Sequence, residues 1–309
     1  MENVILRDVG LRDGLQLVKA IVPTEHKIEW CRRVVAAGVP EVEITSLVPA
    51  KIAPQFADAE EVVAATLSIP GYLPSALIPN ARGAERGFAL GIPKLNYVLS
   101  ASEEHNLANI RRSTQASIDD FGRIVELRNE TAPKTCLAAG IATAFGCTIQ
   151  GEVPEARVYE IAAELCGLGA DEIIVADTVG YANPAQVKRI LTGVMKEIGD
   201  RPLLLHLHDT RGLGLANMAA ALEVGVRSFD ASIGGLGGCP FAPGASGNIN
   251  LEDAAFLAEA MGFATGIDIE ALVALRQTVE TWLPGERFAG QVAQSGLPKT
   301  FAPIHRQAA

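Results

Sequence analysis

Eight short β-rich runs, each followed by a helical pattern, restrict this chain more than any other feature of its sequence. The runs fall at about residues 4–9, 41–45, 72–77, 94–99, 135–142, 172–176, 203–207 and 228–232, each rich in branched or aromatic side chains. Helical periodicity fills the intervals at about 24–37, 57–67, 113–130, 154–168, 184–198 and 215–224. Several of these helices open with Thr, Asp or Pro, as helix starts prefer. Repeated strand–helix order predicts a parallel sheet, and eight repeats predict a sheet closed into a (β/α)8 barrel.

Glycines punctuate the pattern. Ala37-Gly38, Leu90-Gly91, Leu168-Gly169 and Val224-Gly225 each end a helix before a strand, where glycine takes the left-handed cap conformation. Two further helical patterns follow near 251–261 and 269–282, and the tail from Pro284, rich in Gly, Gln and Pro, is expected to pack over the barrel as loop. The expected fold is therefore a TIM barrel with additional C-terminal helices. It forms one domain over 1–309, with the barrel at about 3–265 and the C-terminal helices and tail at about 266–309.

A chain of 309 residues, 49% of them hydrophobic, can bury a core of that size. Its net charge of −10, without a run of lysine or arginine, argues against a nucleic-acid or membrane-surface partner. A small-molecule partner is expected. Five cysteines (Cys31, Cys136, Cys147, Cys166 and Cys239) are widely spaced and odd in number, which suits free thiols in a reducing compartment. Strand-like sequence starts at Asn3-Val4-Ile5-Leu6, leaving no room for a targeting peptide, and charges interrupt every apolar run. The expected location is the cytoplasm.

In such a barrel, polar residues at strand C-termini face the active site. His206-Leu207-His208-Asp209 ends the seventh strand, and the two-residue period places both histidines on one face, where one metal ion can touch both. A pair of hydrogen-bonded core histidines is the competing reading. The first strand runs into Leu11-Arg12-Asp13-Gly14-Leu15-Gln16, which offers Asp13 as a third ligand; a turn carrying a solvated Arg12–Asp13 ion pair is its alternative. Glu43 is a carboxylate in an apolar strand. It must meet Arg12 or another donor, or else the strand register is wrong. The run Gly234–Asn248 is no phosphate-binding loop, since no Gly-Lys-Ser/Thr follows. Its glycines suggest a loop that closes over a ligand, carrying the thiol of Cys239 inward and ending at the amide of Asn248.

Together, Gly10–Gln16, Glu43–Ser46, Asp177–Gly180, His206–Thr210 and Gly234–Asn248 resemble 3-hydroxy-3-methylglutaryl-CoA lyase, of the TIM-barrel metallolyase superfamily, in order from about residue 3 to 295. The resemblance implies Mg²⁺ or Mn²⁺ held by Asp13, His206, His208 and Asn248. Arg12, Glu43, Cys239, Asp13 and His206 are then catalytic residues, and Arg12, Gln16 and Thr178 contact the substrate. The implied reaction is retro-Claisen cleavage of an acyl-CoA thioester into acetyl-CoA and acetoacetate, as in leucine degradation, by an enzyme that forms homo-oligomers. A cation lowers the pKa of the substrate hydroxyl, Arg12 stabilises the enolate oxygen, and Cys239 protonates the enolate carbon. Asp13, His206 and a metal-bound water are the candidates for the base.

The sequence departs from the best-known lyases at three places. Leu137–Ile141 has only small and apolar residues where an arginine is usual, Ile174 stands where serine is frequent, and His105-Asn106 is closer to related condensing enzymes. A lyase for another acyl group, such as citramalyl-CoA, is therefore the alternative. A condensing enzyme of the isopropylmalate synthase type would end the eighth strand with Gly-x-Gly-Glu-Arg and add a regulatory domain, and neither is read here. A carboxyltransferase would need a carboxylated or biotin-binding lysine, for which there is no motif. A non-enzymatic barrel would need neither the metal set nor Cys239.

Overall fold

A computed structural model describes residues 2–238 and 247–304. β1 (Ile5–Asp8), β2 (Glu41–Ser46), β3 (Leu73–Ile78), β4 (Lys94–Ser100), β5 (Cys136–Ala142), β6 (Glu172–Asp177), β7 (Leu203–Leu207) and β8 (Ser228–Ala231) pair in sequence order, and β8 returns to β1 to close the barrel. All pairings are parallel. This is the architecture expected, and each strand lies within one or two residues of its expected position.

Both faces of these strands are buried, and the two faces carry different chemistry. Leu6, Val42, Leu95, Leu137, Ile173, Leu205 and Phe229 join the helices in one continuous apolar core with Trp30, Val34, Ile161 and Val187. The alternate positions point into the barrel. There Ala138, Ile174 and Leu204 form a separate small apolar cluster, and most other interior positions, among them Arg7, Glu41, Glu43, Lys94, Asn96 and Asp230, are polar and buried. Buried charges persist only when paired, so the barrel interior is an ion-pair network.

The outer layer follows in chain order: α1 (Thr24–Ala36), α2 (Ala59–Thr66), α3 (Ala81–Ala89), α4 (Glu103–Ile110), α5 (Thr114–Thr131), α6 (Glu155–Leu168), α7 (Pro184–Ile198), α8 (Gly214–Glu223), α9 (Leu251–Ala260), α10 (Ile269–Trp282) and α11 (Val292–Ser295). Side-chain caps start many of them. Asn183, for example, accepts from Gln186 N just before Pro184, and Asp268 accepts from Ala271 N. Gly38, Gly91, Gly169 and Gly225 all have positive φ, as expected of left-handed caps.

Three local expectations are corrected. The helix expected at 57–67 is the slightly shorter α2, and a separate 3₁₀ turn not expected from the sequence, Pro54–Phe56, precedes it. α4 is short and opens with acidic residues behind the Ser102 cap, so it lacks a broad apolar stripe to announce it. The tail is not all loop, since Val292–Ser295 forms a helical turn. The Asp253 carboxylate holds it by accepting from Gln291 N at 2.7 Å and Val292 N at 2.9 Å.

Candidate active site

After β1 the chain does not form a simple β-turn. Residues Gly10–Gly14 make one π-helical turn, closed by Gly14 N donating to Val9 O at 3.0 Å. This wide turn directs both Arg12 and Asp13 into the barrel mouth, where they are 9% and 8% exposed. Arg12 Nε donates to Glu43 Oε2 at 2.5 Å and its Nη1 to Asp13 Oδ1 at 2.7 Å. The other Glu43 oxygen accepts from Asn96 Nδ2 at 2.8 Å. Glu43 therefore has its donors and the β2 register is right, while the solvated-turn reading of Arg12–Asp13 fails.

Two strands round the barrel from β1 and facing the same pocket, His206 near the end of β7 and His208 just beyond it lie on one face, with ring centroids 5.0 Å apart. His206 Nδ1 meets Asp230 Oδ2 at 2.8 Å. A carboxylate only accepts, so Nδ1 carries the hydrogen and Nε2 keeps its lone pair for the mouth. His208 Nε2 lies 3.5 Å from Asp13 Oδ2, too far for a firm hydrogen bond. Both its ring nitrogens are buried without a hydrogen-bond partner among the described residues. The histidines are therefore not a hydrogen-bonded core pair.

Asn248 completes the cluster from the far end of the glycine-rich run. Its Nδ2 donates to Asp13 Oδ2 at 2.7 Å and to Leu236 O at 2.9 Å, which leaves Oδ1 buried and unpartnered among the described residues. Gly237 makes this approach possible. With φ at +133°, a Cβ there would lie 2.5 Å from Asn248 Nδ2.

The donor set suits a divalent cation. Ligand atoms of Asp13, His206 and His208 lie within 4.8 Å of one another, and the orphaned Asn248 Oδ1 and the unprotonated ring nitrogen of His208 are buried lone pairs that need a partner. The charges agree: the interior network has Arg7, Arg12 and Lys94 against Asp13, Glu41, Glu43, Glu172 and Asp230. Its carboxylates outnumber its arginines and lysine. Burial alone would raise the Asp13 pKa, but Arg12 and the neighbouring histidines outweigh it and hold the carboxyl well below the usual carboxylate range. Asp13 is thus ionised and ready to bind a cation. For His206, burial would lower the pKa, and the hydrogen bond and charge of Asp230 reverse that and raise it.

The remaining expected residues divide. Thr178 follows β6 at the same end of the barrel, and its Oγ1 accepts from Thr143 N at 2.8 Å, where Thr143 adopts a left-handed φ of 56°. Gln16 is half-buried just past the π-helical turn and makes no side-chain hydrogen bond among the described residues. Cys239 lies outside the described residues. His105, which marks the sequence off from the best-known lyases, lies behind the mouth, its Nδ1 2.7 Å from Ser100 Oγ.

Sequence reasoning missed Arg7, Asn96 and Asp230, which back the site from within the barrel. Their signal was present. Arg7 in β1, Lys94 and Asn96 in β4, and Ser228 and Asp230 in β8 keep the two-residue period of strands, and polar residues at that period in a strand buried on both faces mark the barrel interior.

With this geometry established, the similarity to known proteins has a structural meaning. Residues 3–279 match the HMGL-like family. The hydroxymethylglutaryl-CoA lyase YngG of Bacillus subtilis is 39% identical over 281 residues, covering 90% of this chain and 93% of that one. The (R)-citramalyl-CoA lyase of Chloroflexus aurantiacus is 41% identical over 284 residues, covering 89% of each. A solved HMG-CoA lyase from Acinetobacter baumannii, in complex with coenzyme A and 3-methylmalate, superposes with a TM-score of 0.91 at 42% identity and 98% coverage of both chains. Fold and similarity thus agree: the chain belongs to the HMGL-like family.

Proposed function

We propose that this protein is a divalent-metal-dependent carbon–carbon lyase that cleaves 3-hydroxy-3-methylglutaryl-CoA into acetyl-CoA and acetoacetate. The observation that carries the proposal is the convergence of Asp13, His206, His208 and the free Asn248 oxygen beside the buried Arg12–Glu43 pair. Mg²⁺ or Mn²⁺ held by those four residues would supply Lewis acidity to the substrate hydroxyl.

The rest is the work of the chain. The hydroxyl proton leaves, the carbinol carbon becomes a ketone, and the bond to the α-carbon breaks with its electron pair passing into the thioester enolate. Arg12 is the cation in the mouth, with a guanidinium free to stabilise the enolate oxygen beyond its two carboxylate bonds. Asp13 is a poor acceptor for the proton, since its oxygens are engaged and its pKa is held down. His206 has Nδ1 committed to Asp230 and its Nε2 would be taken up in holding a cation, so a water in the mouth takes the proton. Cys239 then protonates the enolate carbon, giving acetyl-CoA, while Gln16 and Thr178 line the substrate's path.

A second reading has its own support. The inner face of β5 holds Ala138, Gly140 and Ala142, and Ile174 and Ala176 adjoin it on β6, so neither strand offers a cation for a distal carboxylate. Citramalyl-CoA, whose carboxylate is on the carbinol carbon itself, needs no cation so far from the metal ligands. Purified protein with Mg²⁺ or Mn²⁺, given both thioesters and read for acetyl-CoA release, decides between them. Chelation should abolish release. No acetyl-CoA from any 3-hydroxyacyl-CoA would overturn the lyase reading.

No helix among the described residues is long and apolar enough to cross a membrane. Cys31, Cys136, Cys147 and Cys166 are all free, which supports a reducing compartment such as the cytoplasm.

A further inference from the structure

Beneath the cluster, side chains from five strands form one continuous chain of hydrogen bonds whose two ends are ligand candidates. Asp13 accepts from Arg12, Arg12 donates to Glu43, and Glu43 accepts from Asn96. Arg7 Nη1 then donates to Asn96 Oδ1 at 3.2 Å, while its Nε and Nη2 form a fork on Asp230 at 2.5 and 2.8 Å. Asp230 Oδ2 completes the path to His206. Arg7, Asn96 and Asp230 are each 1% exposed, so water competes for none of these bonds. The fork is specific to arginine, since a lysine ammonium at that place cannot hold both Asp230 oxygens and Asn96 in one plane.

We propose that Arg7 is a positioning residue for the metal site, orienting His206 through Asp230 and orienting Arg12 and Asp13 through Asn96 and Glu43. The proposal rests on the divalent-cation reading above. Its physical content is that Asp230 alone could rotate, carrying the imidazole with it. Two Arg7 bonds lock the carboxylate plane, and Nη1, which also donates to Glu41 Oε1 at 3.3 Å, ties it through Asn96 to the arm that sets Asp13. Ligands on β7 and after β1 are thereby held at one spacing through the interior rather than through the loops above.

Two variants and two readouts test this in the whole chain. Arg7→Lys keeps the charge without the fork, and Arg7→Met combined with Asp230→Asn removes one charge of each sign, so the interior balance is kept if the single variant does not fold. Mn²⁺ binding is measured by electron paramagnetic resonance. The side-chain ¹⁵N spectrum of the metal-free protein, at a pH where imidazole is neutral, reports whether His206 carries its hydrogen on Nδ1. The expected result is an Nδ1–H signal in the parent protein that is lost in Arg7→Lys, where Asp230 is intact, with Mn²⁺ affinity lowered about 10- to 100-fold in both variants while circular dichroism is unchanged. Parent-like Mn²⁺ affinity in a folded variant would leave Arg7 as barrel filling and overturn the proposal. If the parent protein binds no Mn²⁺, the cation reading fails instead. The ¹⁵N signal of Arg7→Lys then decides alone: its loss with Asp230 intact keeps Arg7 as the residue that orients His206, and its persistence removes that role.

Discussion

Asn248 and Asp13, 235 positions apart in sequence, are joined by a 2.7 Å hydrogen bond from Nδ2 to Oδ2 that commits the Asn248 amide nitrogen and leaves its oxygen buried and unpartnered among the described residues. One bond thus sets the orientation of two ligand candidates. Asn248→Ala should weaken Mn²⁺ binding and destabilise the cation-free protein by about 1–3 kcal/mol, because Asp13 loses a buried donor. His208→Ala should weaken the metal more sharply and abolish turnover. Calorimetric titration checks both, and unchanged affinity in His208→Ala would sink the ligand assignment.

Gly237 guards the same contact. With positive φ and no room for a Cβ beside Asn248 Nδ2, Gly237→Ala should lower both thermal stability and Mn²⁺ affinity. Gly71, also at positive φ but with nothing within 4 Å of where a Cβ would stand, is the control. Gly71→Ala should cost stability through backbone strain alone and leave metal binding intact. Equal metal affinity in the two variants would show that the Asn248 position does not depend on Gly237.

Arg12 serves both folding and chemistry. Arg12→Ala leaves the buried Glu43 without its cation, a loss that typically costs about 3–5 kcal/mol. Arg12→Lys keeps a charge near Glu43 but loses the fork, so turnover should fall by roughly 10²–10³ with a much smaller loss of stability. Steady-state kinetics beside thermal melts separate the two effects. Near-parental turnover in Arg12→Lys would confine Arg12 to the ion-pair network.

Glu252 in α9 is buried, its carboxyl accepting from Gly234 N at 3.1 and 3.3 Å, and burial pushes its pKa up to about 8. Since the unfolded value is near 4.5, the folded state binds this proton more tightly. Its contribution to stability is complete below the unfolded pKa, declines as pH rises through about 8, and changes no further above that. Glu252→Gln should flatten this slope and raise stability on the alkaline side. Urea unfolding at a series of pH values measures it, and an unchanged slope would place the titration elsewhere.

Thiol reagents should find Cys239 first. Burial pushes the Cys31 thiol up to about 12 and the Cys136 thiol up to about 11, and it raises Cys166 as well, so these three are poor nucleophiles at neutral pH. Cys147 is buried. Iodoacetamide should inactivate through Cys239, more slowly with substrate and metal present, and Cys239→Ser should keep metal binding while losing most turnover. Peptide mapping that finds label mainly on Cys31, Cys136, Cys147 or Cys166 would leave the proton donor to be sought elsewhere, in a water of the mouth.

The sequence by itself determined the barrel and the ends of its strands. Alternation of strand and helix is a local property, repeated eight times, and closure is one way for eight parallel strands to bury both faces, the one that also leaves no edge strand. It also determined that His206 and His208 share a face, because a period of two survives any tertiary arrangement. What it left open were pairings between distant segments. Whether Glu43 meets Arg12, whether Asn248 turns its oxygen or its nitrogen toward Asp13, and that Arg7 links Asp230 to Asn96 all depend on barrel closure, which brings β8 beside β1 and places β4 across from both. The roles of Arg7, Asn96 and Asp230 were decided only there. A polar residue in a strand shows by its period that it faces inward, but its partner is chosen by the stagger of the closed sheet, which no single strand encodes.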